Sequence, residues 1–238
     1  MQRLIDIALS EVGYLEKATN KELYSKTANP GRNNYTKYAA EMSPYSPGIY
    51  ANGYAWCDTF VDWCFVKAYG SRAKELIYGW SAYTPTSASY YKQHRRWHTA
   101  PKIGDQIFFK DASGTICHTG IVYDLDDFYV YTVEGNTSYQ TGVVANGGAV
   151  AKKMYKRDYD RIAGYGRPDY SKVAVKEEVK EEYTMYNTLE QCPVWAKDYV
   201  SKALSNGYIK GDEKGNLNLD DTKIWCLAVM MRIAGIAA

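Results

Sequence analysis

Cys57 stands in a sequence context that could make its sulfur a nucleophile. It follows the turn-forming Ala51-Asn52-Gly53, and the apolar periodicity of the next residues predicts an amphipathic helix that begins at or near Cys57. Unpaired backbone N–H groups and the positive dipole at a helix N-terminus stabilise thiolate over thiol. The alternative is a buried cysteine on a core helix, and we favour that interpretation for Cys64, seven residues further on.

A histidine, a glutamate and an asparagine follow in an order that could serve such a thiol. His118 lies where a strand is predicted to begin, and Gly120 would permit close approach of another segment. Along the next predicted strand, period-two alternation places Glu134 and Asn136 on one face. A thiol enzyme needs a base, a carboxylate that orients the imidazole, and a donor that polarises the scissile carbonyl. Taken singly, His118 could be structural and Glu134-Gly-Asn136 a turn, so both interpretations stay open at this point.

The elements that must position these side chains can be read from the hydrophobic pattern. Helical periodicity dominates the early chain, and three strand-like segments follow at 106–109, 119–123 and 128–134. Helices that precede an antiparallel sheet predict an α+β fold. Two further helices are predicted over 193–204 and 222–233, so a small, mainly helical domain should follow the sheet.

The chain is predicted to divide into two domains. Residues 169–184 are rich in charge and carry no strong apolar period, which is typical of a linker. We therefore predict a catalytic domain over 1–168 and a binding domain over 185–238. The two helices of the second segment would provide a small core of its own.

Composition excludes several classes of partner. The formal net charge is +2, which does not favour nucleic acid. No apolar run approaches the roughly 20 residues of a membrane span, and Asp6 and Glu11 interrupt the N-terminal apolar residues where a signal peptide would need them. We therefore expect a protein made soluble in a cytoplasm without a signal peptide. Its five cysteines should be free thiols.

Four segments, taken together, resemble the CHAP domain of phage endolysins and autolysins. The resemblance implies a papain-like fold in which N-terminal helices pack on an antiparallel sheet. It further implies that Cys57 is the nucleophile, His118 the base, Glu134 the group that orients the histidine, and Asn136 an assisting residue. The implied substrate is peptidoglycan, cleaved either as an N-acetylmuramoyl-L-alanine amidase or as a stem or cross-bridge endopeptidase. The four segments are Trp56-Cys57-Asp58, Pro101 to Phe109, His118-Thr-Gly-Ile-Val, and Val133-Glu-Gly-Asn-Thr-Ser138.

No cofactor or metal is expected. Some CHAP lysins bind calcium through an aspartate-rich loop before the cysteine, whereas Ser46 to Tyr54 offers no carboxylate. His94 and His98 have the spacing of a helical metal pair, but two arginines lie between them and the glutamate of the zinc-protease pattern is missing. We interpret that segment as a basic surface element.

The last part of the chain resembles one surface-layer-homology unit. The similarity lies in Ala203-Leu-Ser-Asn-Gly-Tyr-Ile-Lys-Gly and Gly215-Asn-Leu-Asn-Leu-Asp, and it implies binding to a secondary wall polymer of a Gram-positive host. Such units work in groups, so residues 185–238 could form a homo-oligomer. Met185 follows a Lys-Glu-rich stretch whose codons could contain a ribosome-binding sequence, and an internal start there would add free copies of this domain.

Two other functions stay open on the sequence alone. One is a different papain-like cysteine protease, although His118 follows Cys57 by only 61 residues and the Cys-Gly-Ser-Cys-Trp pattern is absent. The other is a non-enzymatic wall-binding protein. An enzyme that acts on the wall after release from the cytoplasm requires the reactive side chains, and a binding protein does not.

Overall fold

A computed structural model describes residues 1–173 and 184–236 of the chain. The chain divides into two compact units, residues 1–174 and residues 175–238. Within the described ranges, none of the helices has the length and apolar character needed to cross a membrane.

The first unit places five α-helices before a six-stranded sheet. The helices are α1 (Gln2–Ser10), α2 (Lys37–Met42), α3 (Cys57–Tyr69), α4 (Ala73–Ile77) and α5 (Thr84–Gln93). The strands are β1 (Trp97–His98), β2 (Gln106–Lys110), β3 (Ile116–Leu125), β4 (Tyr129–Thr137), β5 (Ala149–Lys156) and β6 (Ile162–Gly166). Their order across the sheet is β1-β6-β2-β3-β4-β5, and every pairing is antiparallel. The predicted α+β class is confirmed.

Helix α3 is the centre of this unit. It lies between α1 and α2 and the strands β3 and β4, with which it makes its main contacts. Of its thirteen residues only Lys67 and Tyr69 are not buried, so the prediction of an amphipathic helix is wrong. Helices pack on one side of α3 and the sheet on the other, and no side of the helix is left to face water. The core beside it is aromatic, with the Tyr38 ring 4.9 Å from Trp63 and 5.1 Å from Phe60.

The end of the first unit lies beyond the predicted domain boundary at residue 168. Tyr170 donates a hydrogen bond from its hydroxyl to the carbonyl of Gly104 at 2.7 Å, and Asp169 forms an ion pair with Arg96 at 3.1 Å. Residues 169–173, which the sequence assigns to the linker, therefore pack on the first unit. An aromatic residue with an acceptor in reach explains this difference. Residues 174–183 of the predicted linker lie outside the described residues.

The second unit has two main helices, as its periodicity predicts. Residues Val194–Ala196 form a 3₁₀ turn, followed by α6 (Lys197–Ser205) and α7 (Asp221–Ile233). Asp220 caps α7 by accepting a hydrogen bond from the Lys223 amide at 2.8 Å. The core between the helices contains Cys192, Ala196, Val200, Ala203, Leu219, Ile224, Ala228 and Met231.

Candidate active site

Cys57 is the first residue of α3, as the sequence predicts, and its flanking residue is held firmly. Trp56 is buried, its indole Nε1 donates to Glu16 Oε2 at 2.9 Å, and its ring stacks on Tyr38 with centroids 5.4 Å apart. The thiol therefore lies at the positive end of a helix whose start is fixed by packing. Only 4% of Cys57 is exposed.

His118 reaches Cys57 from the sheet. It lies on β3 opposite Phe109 of β2, and the two rings stack with centroids 5.9 Å apart. Its Nε2 is 2.9 Å from Glu134 Oε2, and both side chains are fully buried. Its other ring nitrogen, Nδ1, makes no hydrogen bond among the described residues, which leaves it available to the Cys57 thiol. His118 is thus hydrogen-bonded to Glu134 and lies close enough to Cys57 for the cysteine to affect its pKa.

The electrostatics of this chain favour a charged imidazole. Burial by itself lowers the pKa of His118, but interactions with Cys57 and with Glu134 outweigh burial and raise the pKa to about 9. His118 is therefore protonated at neutral pH. A protonated histidine beside a cysteine favours the thiolate, which is the nucleophilic form.

Glu134 is held by two residues that sequence reasoning missed. Thr132 donates its hydroxyl to Glu134 Oε1 at 2.6 Å, and Tyr155 donates to Glu134 Oε2 at 3.2 Å. The signal for Thr132 was present, because it precedes Glu134 by two residues on the same strand face. The signal for Tyr155 was not, because a loop of irregular structure separates β4 from β5 and hides their register. Both hydroxyls fix the carboxylate that orients His118.

Two glycines allow the elements to approach closely enough to form the site. A Cβ at Gly120 would lie 2.5 Å from Glu134 Cγ, and a Cβ at Gly135 would lie 2.6 Å from Phe60 Cβ. The first glycine makes room for the glutamate beside the histidine strand. The second lets β4 contact the first turn of α3. Close approach at Gly120, which the sequence analysis expected, is confirmed.

Asn136 does not continue the face of Glu134. The pairing of β4 with β5 shifts register between Glu134 and Thr137, and Asn136 adopts a φ of 53°. This bulge ends the period-two alternation on which the prediction rested. The Asn136 side chain is buried, its Nδ2 donates to the Ala145 carbonyl at 3.5 Å, and its Oδ1 has no partner in the described part of the chain. Its observed contacts are with the loop that precedes β5.

The remaining thiols of the first unit are placed differently from Cys57. Cys64 is fully buried in the core, and burial raises its pKa well above the ordinary value. Cys117 lies at a register shift in the pairing of β2 with β3, and Arg161 donates to its sulfur at 3.8 Å. Burial also raises the pKa of Cys117. Neither thiol shares the partners of Cys57.

Two buried carboxyl groups on α3 were not identified from the sequence as notable. Asp58 accepts hydrogen bonds from the Ser87 hydroxyl at 2.6 Å and the Gln106 amide at 3.0 Å, and Asp62 accepts one from Tyr50 at 2.6 Å. Burial raises the pKa of Asp58 to about 7. Burial, and then the charge of Asp58, raise that of Asp62. Their spacing of four residues places them on one side of the helix next to Cys57.

No match was found among curated proteins. Among solved structures, the chain is similar to one described as "The crystal structure of Ly7917", with 11% identity and a TM-score of 0.39. The alignment covers 70% of this chain and 61% of that one, so the chain spans about three fifths of its length. The family model of the CHAP domain matches residues 49–136, which include Cys57, His118, Glu134 and Asn136. We therefore identify residues 49–136 as a CHAP domain.

Proposed function

We propose that this chain is a peptidoglycan hydrolase that cleaves an amide bond by thiol catalysis. The observation that carries the proposal is the buried His118–Glu134 pair beside Cys57, the first residue of α3. All three residues lie within the CHAP domain, a domain that suggests amidase or peptidase activity on peptidoglycan. In this proposal Cys57 is the nucleophile, His118 the acid and base, and Glu134 the positioning residue.

The mechanism uses the proton of His118 twice. The Cys57 thiolate attacks the amide carbonyl, and backbone N–H groups at the start of α3 are available to the developing oxyanion. His118 gives its proton to the departing amine, the C–N bond breaks, and a thioester to Cys57 remains. A water molecule then gives a proton to His118 as its oxygen attacks the thioester carbonyl, which releases the carboxylic acid and restores the thiolate. Glu134 stabilises the imidazolium in both steps.

Asn136 keeps the assisting role in this proposal. Its side chain is buried at the bulge directly after Glu134, at the same end of β4 as the reactive groups. It would act by fixing the loop before β5 against the site through Ala145 and Gly147.

The finer proposal is a phage endolysin with a wall-binding second unit. A second compact unit with a core of its own supports a separate binding role for residues 185–238. Helix α7 also exposes Trp225, Met230 and Ile233 on the side away from that core, which supports association with other copies. The ligand proposed for this unit is a secondary wall polymer of a Gram-positive host. The enzyme would reach the wall after release from the cytoplasm.

The test of the function is Cys57→Ala assayed on purified peptidoglycan. We expect hydrolysis to fall by at least about a thousandfold, because no other group can form the thioester. Mass spectrometry of the digest should show new amino termini for an endopeptidase, or free lactyl groups for an amidase. Cys117→Ser is the matched control and should retain activity. If the Cys57→Ala chain still cleared a wall suspension, a non-enzymatic binding function would be favoured.

His118→Ala is a poorer test than Cys57→Ala. The histidine is fully buried against a buried carboxylate, so its removal leaves Glu134 without its cationic partner. His118→Gln, which can still donate to Glu134, should separate loss of catalysis from loss of folding.

A further inference from the structure

A cavity beside the catalytic residues contains a carboxylate that the mechanism does not use. The cavity has a volume of about 610 Å³, and its lining includes Glu16, Arg32, Ser138, Asn146 and Gly148. Glu16 is 3% exposed, so its carboxylate is almost completely removed from bulk water. Cavities of this size can accept part of a peptide.

Two direct contacts connect this cavity to the active site. Glu16 Oε2 accepts the hydrogen bond from Trp56 Nε1 at 2.9 Å, and Trp56 is the residue before the nucleophile. On the opposite wall, the amide of Gly147 donates to the carbonyl of Asn136 at 2.8 Å. The cavity is therefore linked to the residue before Cys57 and to the end of β4 through hydrogen bonds of its lining.

The charge of Glu16 is not neutralised within the first unit. No lysine or arginine of residues 1–173 forms an ion pair with it. The neighbouring Lys17 directs its ammonium to the carbonyl of Lys26 at 3.2 Å instead. Buried carboxylates are costly unless a cation or several donors compensate them, and Trp56 supplies one neutral donor. The compensating cation is thus expected to arrive with a ligand.

A side chain at residue 148 would crowd the carboxylate. Gly148 has a φ of 77°, and a Cβ at this position would lie 3.1 Å from Glu16 Cδ and 3.4 Å from Oε1. The missing side chain leaves space beside the carboxylate on the cavity side. Arg32 is exposed and lines the same cavity, so a cationic and an anionic group of one peptide could bind there together.

We propose that Glu16 binds the ammonium group of a substrate peptide and selects peptides that carry a free amine. The proposal rests on the proposed function and adds the substrate class, a wall peptide containing a diamino acid with an unmodified side-chain amine. Arg32 would receive a carboxylate of the same peptide. Glu16 is a specificity residue in this scheme and does not take part in bond cleavage.

The experiment measures binding on the full chain carrying Cys57→Ala, so that no turnover occurs. The probes are a wall stem tetrapeptide that ends in Lys-D-Ala and the same peptide acetylated at its lysine Nε, with affinity read by calorimetry. We expect the free amine to bind at least about tenfold more tightly than the acetylated form, because a charged hydrogen bond to a buried carboxylate is lost on acetylation. Adding Glu16→Gln, which keeps an acceptor for Trp56, should abolish this difference.

Glu22→Gln is the matched control, because it removes the same charge from an exposed position outside the cavity lining. It should leave the tenfold preference unchanged. If the chain with Glu16 intact bound the two peptides with equal affinity, or bound neither, the proposal would be overturned. A preference for the free amine that persisted in Glu16→Gln would also overturn it. Because binding is measured without turnover, a failure of hydrolysis by the unmodified chain would overturn the proposed function and leave this result standing.

Discussion

At the scale of single residues, the site depends on His118, whose burial and whose partners shift its pKa in opposite directions. Removing an imidazolium from water is unfavourable, and His118 is fully buried. The partners at its two ring nitrogens reverse this effect, and the pKa rises to about 9. The imidazolium form of His118 should therefore be the form present at neutral pH.

The alkaline limb of activity should follow this raised pKa. We expect the rate of peptidoglycan cleavage to hold through neutral pH and fall above about pH 9, where His118 loses the proton that the leaving amine needs. Glu134→Gln removes a group that raises this pKa, so the limb should move to lower pH. Tyr155→Phe, which removes only a hydrogen bond to Glu134, should move it less. A limb that stays in place in Glu134→Gln would contradict the assignment of Glu134.

The raised pKa of His118 means that the protonated imidazole stabilises the fold. In the folded chain this pKa lies above the ordinary value of 6.5, so the stabilisation is fully present below pH 6.5 and is lost as the pH rises toward 9.

At the scale of elements, the geometry of the site depends on how closely β3, β4 and α3 approach. Gly120 and Gly135 provide that proximity, since any side chain would meet Glu134 at the first position and Phe60 at the second. Helix α3 itself carries Asp58 and Asp62 into the interior, where hydrogen bonds from α5, from β2 and from the preceding loop hold them. The helix that begins at Cys57 is thus tied to both layers of the unit.

Gly120→Ala should damage the site through sterics alone. The added methyl group displaces Glu134, and we expect a loss of about 1–3 kcal/mol in the free energy of unfolding together with a large fall in activity per folded molecule. Gly166→Ala is the matched control, because its Cβ would meet the Tyr91 ring at 2.2 Å on the same sheet. It should cost comparable stability without the loss of activity per folded molecule. Denaturant unfolding and the wall assay on each variant measure both quantities.

Asp58 should make stability depend on pH in the acid range. Its folded pKa of about 7 exceeds the ordinary 3.8, so the folded chain holds a proton that the unfolded chain releases. The stabilisation from protonated Asp58 is present below pH 3.8 and is lost as the pH rises toward 7. Over this range the free energy of unfolding falls by up to about 1.4 kcal/mol per pH unit.

Asp58→Asn, which can keep both hydrogen bonds, should flatten this slope and raise stability at pH 7. Urea unfolding between about pH 4 and 6 avoids a contribution from His118, which is charged in both states there, and the difference in slope between Asp58→Asn and the unmodified chain measures the effect of Asp58 beside that of Asp62. Asp6→Asn, at an exposed position, serves as the control. An unchanged slope in Asp58→Asn would show that this carboxyl does not hold the proton.

At the scale of the whole molecule, the chain consists of two units with separate cores. The first unit contains the CHAP domain and all the proposed catalytic residues. A tethered binding unit would raise the local concentration of the first unit at the wall without any change in the active site. Removal of the second unit should therefore weaken affinity for the wall without changing turnover by the first unit.

Residues 1–173 alone should fold and hydrolyse soluble wall fragments, while binding to intact wall weakens. The shorter 1–168 chain lacks the Tyr170 hydrogen bond and the Asp169–Arg96 ion pair, and we expect it to lose about 1–3 kcal/mol of stability relative to 1–173. Circular dichroism, thermal unfolding and wall sedimentation compare the two chains. Equal stability of both would show that the domain ends at residue 168.

The sequence by itself determined the local features of this protein. Hydrophobic periodicity placed three of the six strands, β2, β3 and β4, and the two C-terminal helices. The turn before Cys57 placed that residue at a helix start, because such patterns depend on neighbours along the chain. Four short segments between Trp56 and Ser138, taken together, were enough to suggest a CHAP domain, and the CHAP family model matches residues 49–136. Gly120 could be interpreted as a point of close approach for the same local reason.

Only the tertiary structure decided what depends on contacts between distant segments. The bulge that turns Asn136 away, the support of Glu134 by Tyr155, and the burial of α3 on almost every side arise from strand register and from packing between layers. The same holds for Glu16, which is forty residues from Trp56 in sequence and is bonded to it in the fold. Nothing in the local pattern distinguishes a glutamate that will lose its water from one that stays exposed, because desolvation is set by the segments that fold over it.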